Sequence, residues 1–207
     1  MSINIIDLGK CAYKIGLERQ AATHSKVFNQ KLEDSLIFVE HNHVYTLGKN
    51  ADRNNILPSY PKNVEIVNID RGGDVTYHGP GQLVGYPIIN IKSLNLSIGK
   101  YIHTLEDILI NTLSYYSIFA ERRDKLIGIW VGDEKIGAIG VRVKNGVTKH
   151  GFALNVNPDL SYFNGIIPCG INNCKVTSME QLLNKNIEIK LVQDIIIKEF
   201  VKHFNYI

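Results

Sequence analysis

The chain has 207 residues, 44% of them hydrophobic and 21% charged, enough to bury a substantial core in one domain. Lys and Arg number 23 against 20 Asp and Glu, and this net charge of +3 is scattered, which argues against a nucleic-acid stripe or a polybasic arm. No apolar run approaches the ~20 residues of a membrane span. With no export-type N-terminus and an odd set of cysteines (Cys11, Cys169, Cys174), a cytoplasmic protein is expected, without membrane or nucleic-acid partners.

No internal repeat, low-complexity tract or linker divides the sequence, so residues 1–207 read as one domain. The first predicted helix runs from Tyr13 to Lys31, where Tyr13, Leu17, Ala21, His24 and Phe28 recur at helical spacing. Leu36 to Leu47 is β-branched and aromatic and predicts a strand or a bent pair of strands. Val64 to Asp70 and Leu83 to Ile91 are further strands, the second carrying Pro87, which signals an edge, a bulge or a bend. Ser97 to Tyr116 is an amphipathic helix with Ser97 as N-cap. Leu126 to Val131 and Lys135 to Val143 form a hairpin, and Val147 to Val156 follows after an Asn145-Gly146 turn. Leu191 to Tyr206 closes the chain as a helix. Strands and helices interleave irregularly, predicting an α+β fold with α/β-type layers, a mixed β-sheet flanked by helices.

Two glycine-rich stretches stand out. Residues 71–82, Arg-Gly-Gly-Asp-Val-Thr-Tyr-His-Gly-Pro-Gly-Gln, have neither the G-x-G-x-x-G spacing of a dinucleotide turn nor a P-loop, and a strand follows them rather than a helix. Tight turns would account for the glycines alone. The polar residues Arg71, Asp74, Thr76, Tyr77, His78 and Gln82 exceed what a turn requires, and suggest a ligand lying against the backbone. Lys135-Ile-Gly-Ala-Ile-Gly140 puts small residues inside a strand, and Gly151, Phe152 and Ala153 lie on the neighbouring strand. A bulge would explain this pattern, and so would a slot lined by small side chains.

Cys169 sits between Pro168 and Gly170, in a turn rather than on an apolar face, whereas Cys11 and Cys174 look structural. A zinc site from Cys169, Cys174 and His150 would lack the second ligand pair that such sites use. His41 and His43 would share a strand face, either beginning a metal site or simply lying on a solvated face; no metal is assigned. A nucleophilic thiol needs a base or a cation beside it, and Lys135, His78 and His150 are the candidates.

The segments 71–82 and 135–140, Thr148 to Asn155, and Pro168 to Ile171 followed by Val176-Thr-Ser178, together with His41 to Gly48 upstream, resemble the lipoyl(octanoyl) transferases of the LipB type, over about residues 36–180. Asn42-His43 departs from the family pattern, where proline is frequent, and Asp74 falls on a variable position. The resemblance implies the fold of biotin and lipoate protein ligases and a catalytic dyad at Cys169 and Lys135. It implies substrate contacts at Arg71, Gly72, Gly73, Asp74, Val75, Thr76, Tyr77 and His78, at Ala138, Ile139 and Gly140, and at Gly151, Phe152 and Ala153.

The implied reaction moves an octanoyl group from octanoyl-acyl carrier protein to a lysine of a lipoyl domain, in 2-oxoacid dehydrogenase E2 subunits and glycine cleavage H protein, through a Cys169 thioester and without a cofactor. A monomer is expected. Lys135 would generate the thiolate and later take the proton of the acceptor amine, with His78 or His150 as possible helpers and backbone amides around Cys169 and Gly170 holding the oxyanion. The competing readings are an ATP-dependent lipoate or biotin ligase, a non-catalytic acyl-binding module and a cysteine hydrolase.

Overall fold

The computed structural model describes residues 2–170 and 174–206, with the side chain of Cys169 outside the described atoms. In chain order its elements are β1 (Asn4–Cys11), α1 (Tyr13–Phe28), β2 (Ser35–His41), β3 (Val44–Leu47), β4 (Glu65–Asn68), β5 (Val75–His78), β6 (Gln82–Ile88) and α2 (Ile98–Ser114). There follow β7 (Glu121–Arg123), β8 (Leu126–Val131), β9 (Glu134–Lys144), β10 (Val147–Asn155), β11 (Lys175–Val176), α3 (Met179–Leu183) and α4 (Ile189–Phe204). Short 3-10 turns occupy Arg53–Asn55, Leu160–Gly165 and Pro168–Gly170.

The larger sheet runs β1-β2-β6-β10-β9-β8-β7, with β11 set beside the start of β9, and the smaller one runs β4-β3-β5. Parallel pairs (β1 with β2, β11 with β9) and antiparallel ones occur in the same sheet, as expected of a mixed α+β fold. One face of the larger sheet carries Leu36, Phe38, Leu83, Phe152 and Leu154, packed under Leu105, Ile108 and Leu109 of α2 and Val192, Ile196 and Phe200 of α4. Ser97 starts α2 by accepting a hydrogen bond from the Lys100 backbone N–H, one of the donors a helix start leaves unpaired. The opposite face carries Ile37, Val39, Val84, Tyr86 and Ala153, with Val27 of α1 against it.

Two expectations need correction. Residues 36–47 do not share one face, because the chain leaves the larger sheet after His41 and enters the smaller one at Val44. His41 therefore meets the Tyr86 hydroxyl at 2.7 Å while His43 meets that of Tyr77 at 2.7 Å, and His41 is buried rather than solvated. Pro87 does not mark an edge, since β6 lies between β2 and β10. Pairing of β6 with β10 stops at Gly85, so the missing N–H of Pro87 removes no rung there, and the Pro87 carbonyl accepts from Thr148 Oγ1 at 2.6 Å. The sequence pattern also gave no sign of β1, a half-exposed edge strand without an apolar alternation.

Candidate active site

Alternation along β9 and β10 puts Ala138 opposite Ala153 and Gly140 opposite Gly151, a floor of small residues on the α1 side of the sheet. Ile139 and Phe152, opposite each other, point to the helix-covered core instead. Above this floor lies the loop 71–74. The Gly72 N–H donates to the Val141 carbonyl at 3.0 Å, and Arg71 donates to the Thr46 carbonyl (2.8 Å), Thr46 Oγ1 (2.9 Å) and the Gly72 carbonyl (2.9 Å). A Cβ at Gly140 would lie 2.9 Å from Arg71 Cδ, so only glycine lets the loop come this close.

The resulting slot is lined by every residue of segments 71–76, 138–140 and 151–153, together with His78 and His150. Tyr77 is the exception. It points to the other side of β5, packed against Tyr45, Tyr162 and Phe163, because neighbours in a strand face opposite ways. Asp74 serves the scaffold as well as the rim: its carboxylate accepts from Asn55 Nδ2 and from the Val75 N–H, both at 2.6 Å.

A second, smaller chamber shares Thr76, Ala138 and Ala153 with the slot and continues to Lys135, Gln82, Asn155, Phe163 and Pro168. Lys135 is 5% exposed. A break of register between β8 and β9 sends Ile136 into the helix-side core and brings Lys135 to the chamber. Its Nζ donates to the Ile127 carbonyl at 3.0 Å and lies 5.3 Å from the centre of the Trp130 ring. Gly128 makes room for it: φ is +123°, and a Cβ there would come 2.7 Å from Lys135 Cε.

The turn Pro168–Gly170 that bears Cys169 is anchored at both sides. The Ile167 N–H donates to the Asn55 carbonyl at 2.8 Å, while Val176 pairs with Lys135 and the Thr177 N–H donates to the Lys135 carbonyl at 3.0 Å. Pro168 walls the Lys135 chamber, so backbone pairing holds the cysteine's turn beside the lysine. The expected oxyanion role of the Gly170 amide is not supported, because that N–H donates to the Ile167 carbonyl at 3.1 Å and closes the 3-10 turn.

The histidine candidates separate. His78 Nδ1 donates to Gln82 Oε1 (2.7 Å), Gln82 Nε2 to Asn155 Oδ1 (2.9 Å) and Asn155 Nδ2 to the Thr177 carbonyl (2.9 Å), a chain of hydrogen bonds that reaches the Lys135 chamber. Burial pushes His78 down to about 3, so it is neutral and keeps its Nε2 lone pair. His150 lies elsewhere: it lines the slot but not the Lys135 chamber, and its Nε2–H donates to Asp70 at 2.7 Å. A positive φ of 58° at His150 interrupts the alternation of β10, so that Lys149 (3.0 Å) reaches the same carboxylate, as does Arg142 (3.1 Å). Burial raises Asp70, but the His150 and Lys149 hydrogen bonds outweigh it and hold the carboxyl well below its ordinary range. Burial also carries His150 down to about 4 despite its carboxylate partner, which Lys149 and Arg142 already neutralise. Geometry thus removes His150 from proton transfer at Lys135.

Among the residues the sequence reading left out are Tyr13, Val84 and Tyr86 in the slot, and Gln82, Asn155 and Phe163 in the chamber. The signal for Gln82, Val84 and Tyr86 was present, since alternation from Gln82 puts all three on the face of Ala153. Among the described residues no three His, Cys, Asp or Glu side chains converge as metal ligands. Nor is any described helix long and apolar enough to cross a membrane.

Comparison with known proteins agrees with this architecture. The lipoyl protein ligase A/B catalytic domain matches residues 12–201. An octanoyltransferase of Alkaliphilus metalliredigens is 43% identical over 100% of this chain and 97% of that protein, and one of Christiangramia forsetii is 49% identical over 81% of this chain and 76% of that protein. Among solved structures, lipoate-protein ligase A bound with ATP aligns with a TM-score of 0.78 at 16% identity, covering 100% of this chain and 87% of that one. A bipartite lipoate protein ligase from Thermoplasma acidophilum, studied with its E2 lipoyl domain, gives 0.73 at 16% identity over 100% and 85%. At that identity the structures speak for the fold, and the sequence relatives speak for the branch. The chain belongs to the lipoyl protein ligase A/B catalytic domain family, within its octanoyltransferases.

Proposed function

We propose that this protein transfers an octanoyl group from octanoyl-acyl carrier protein to a lysine of a lipoyl domain, with Cys169 as nucleophile and Lys135 as its proton partner. The observation that carries the reading is the buried Lys135, set where the turn of Cys169 meets one end of a slot floored by Ala138, Gly140 and Ala153. Relatives named octanoyltransferase at 43% and 49% identity support the acyl length.

In the first half-reaction Lys135 takes the thiol proton. The Cys169 thiolate adds to the thioester carbonyl, and the carrier's phosphopantetheine thiolate leaves and is protonated. In the second, the amine of the acceptor lysine attacks the octanoyl-cysteine, gives a proton to Lys135 and expels the Cys169 thiolate as the amide forms. Thioester exchange is nearly balanced and amide formation runs downhill, so an acyl group that arrives activated needs no ATP. Burial supplies the holding force: at about 0.8 kcal/mol per methylene, an octanoyl tail gains several kcal/mol in an apolar slot. Acidic carriers and a chain of net charge +3 attract each other weakly at long range.

Intact mass spectrometry tests the reading. Wild type mixed with octanoyl-acyl carrier protein gains one octanoyl group, Cys169→Ser gains none, and adding a lipoyl domain moves the group to it without ATP. An activity that demands ATP and free octanoate would make the chain a ligase, and octanoate released without an acceptor would make it a hydrolase.

A further inference from the structure

The end of the slot farthest from Lys135 is built differently from the rest. It is closed by Tyr13 from the start of α1 and Tyr86 from β6, with His78 stacked on Tyr13 at 5.9 Å between ring centres and His41 behind Tyr86. Tyr13, His41, Tyr86 and His78 are 2%, 1%, 3% and 7% exposed, so this end offers no way out to solvent; the slot reaches the surface instead past Gly72 to Asp74.

The wall is also held rigid. His41 Nδ1 faces the Cys11 carbonyl at 3.3 Å and must donate to it, because a carbonyl only accepts. That leaves Nε2 as acceptor for the Tyr86 hydroxyl at 2.7 Å, and the Tyr13 hydroxyl hydrogen-bonds in turn to Tyr86. Burial pushes His41 down to about 4, so the row stays neutral and keeps this bonding direction through the physiological range. Both rings are thereby fixed in place.

Distance decides what such a wall would do. On the slot face of β6, Gln82 borders the Lys135 chamber and Tyr86 the far end, with Val84 between them. Four residues of strand span about 13 Å, the reach of an extended eight-carbon acyl chain together with its thioester. Resting on the acyl-transfer reading above, we infer that Tyr13 and Tyr86, locked by His41, form the stop that measures the acyl chain, so that the terminal methyl of octanoyl meets their rings and longer chains are excluded.

The experiment offers hexanoyl-, octanoyl-, decanoyl- and dodecanoyl-acyl carrier protein in competition and reads the acyl-enzyme by intact mass. Wild type should favour octanoyl. Tyr13→Ala and Tyr86→Leu should each raise the decanoyl and dodecanoyl share relative to octanoyl by tenfold or more, whereas Tyr13→Phe, which keeps the ring, should hold the wild-type profile. Two separate wall positions keep the test decisive if one variant fails to fold. A wild type that takes no acyl group overturns the transfer reading itself. A wild type that is acylated, with both enlarged variants keeping the octanoyl ceiling or losing all lengths equally, overturns the wall and leaves the transfer standing.

Discussion

The two faces of β6, β9 and β10 use the same backbone for opposite ends. On the helix side, Leu83, Phe152 and Leu154 are sealed under α2 and α4, and each fully buried side chain of this kind contributes about 1.5–3 kcal/mol. On the other side, one residue along, stand Ala138, Gly140, Gly151 and Ala153, which fill little space and leave a slot between the sheet and loop 71–74. Stability is concentrated on one face so that the other can stay open. Changes on the first face should then move the unfolding equilibrium, and changes on the second should move turnover.

The sharpest break of that symmetry is Lys135→Met, which keeps the length of the side chain and removes its amine. Proton transfer by a positioned group contributes ~10²–10⁴ in rate, so octanoyl transfer to a lipoyl domain, followed in single turnovers, should fall by that factor. The far-ultraviolet spectrum should stay that of the wild type. A loss of less than tenfold would remove Lys135 from the chemistry.

The converse is Leu154→Ala. Leu154 is fully buried on the helix face of β10, next in sequence to Ala153 of the slot floor. Its truncation should lower the unfolding free energy by about 2–5 kcal/mol in urea titrations, with transfer per folded molecule within about twofold of wild type. A rate loss comparable to that of Lys135→Met would mean that the faces are not separable.

How much of this was legible in the sequence follows from which signals are local. The helix at residues 97–116, its Ser97 cap and the Asn145-Gly146 turn were readable because spacing and capping act within a few residues. The small-residue floor was readable from Gly137, Ala138 and Gly140, which no strand would carry for its own stability. Tyr77 was assigned to the slot with its segment, and its alternation with Thr76 and His78 would have excluded it. Tyr13 could not be found at all: its helical spacing is that of an ordinary core residue, and only the packing of α1 across the sheet brings it to Tyr86. Likewise the separation of His41 from His43 depends on a crossing between sheets, which two adjacent strand-like stretches do not announce.

A finer comparison contrasts the two ends of the cavity through pH. His41 and His150 are held at about 4 and His78 at about 3, in each case chiefly by burial, against about 6.5 in an unfolded chain. Between those values the unfolded state binds more protons than the folded one, so stability rises with pH across the window. It is fully present above about 6.5 and is lost as the pH falls toward 4. Asp70, held below its ordinary range, begins to weaken the fold only in stronger acid, and Asp34, raised by burial, works in the opposite sense. For His41 alone the loss between pH 7 and pH 5 is roughly 2 kcal/mol. Urea midpoints of wild type should therefore drop over this range, and His41→Gln, which can still donate to the Cys11 carbonyl and accept from Tyr86, should flatten the drop by about that amount. An unchanged slope would mean that His41 is protonated in the folded protein, and then the direction of the row from His41 to Tyr86 and Tyr13 would have to be reversed.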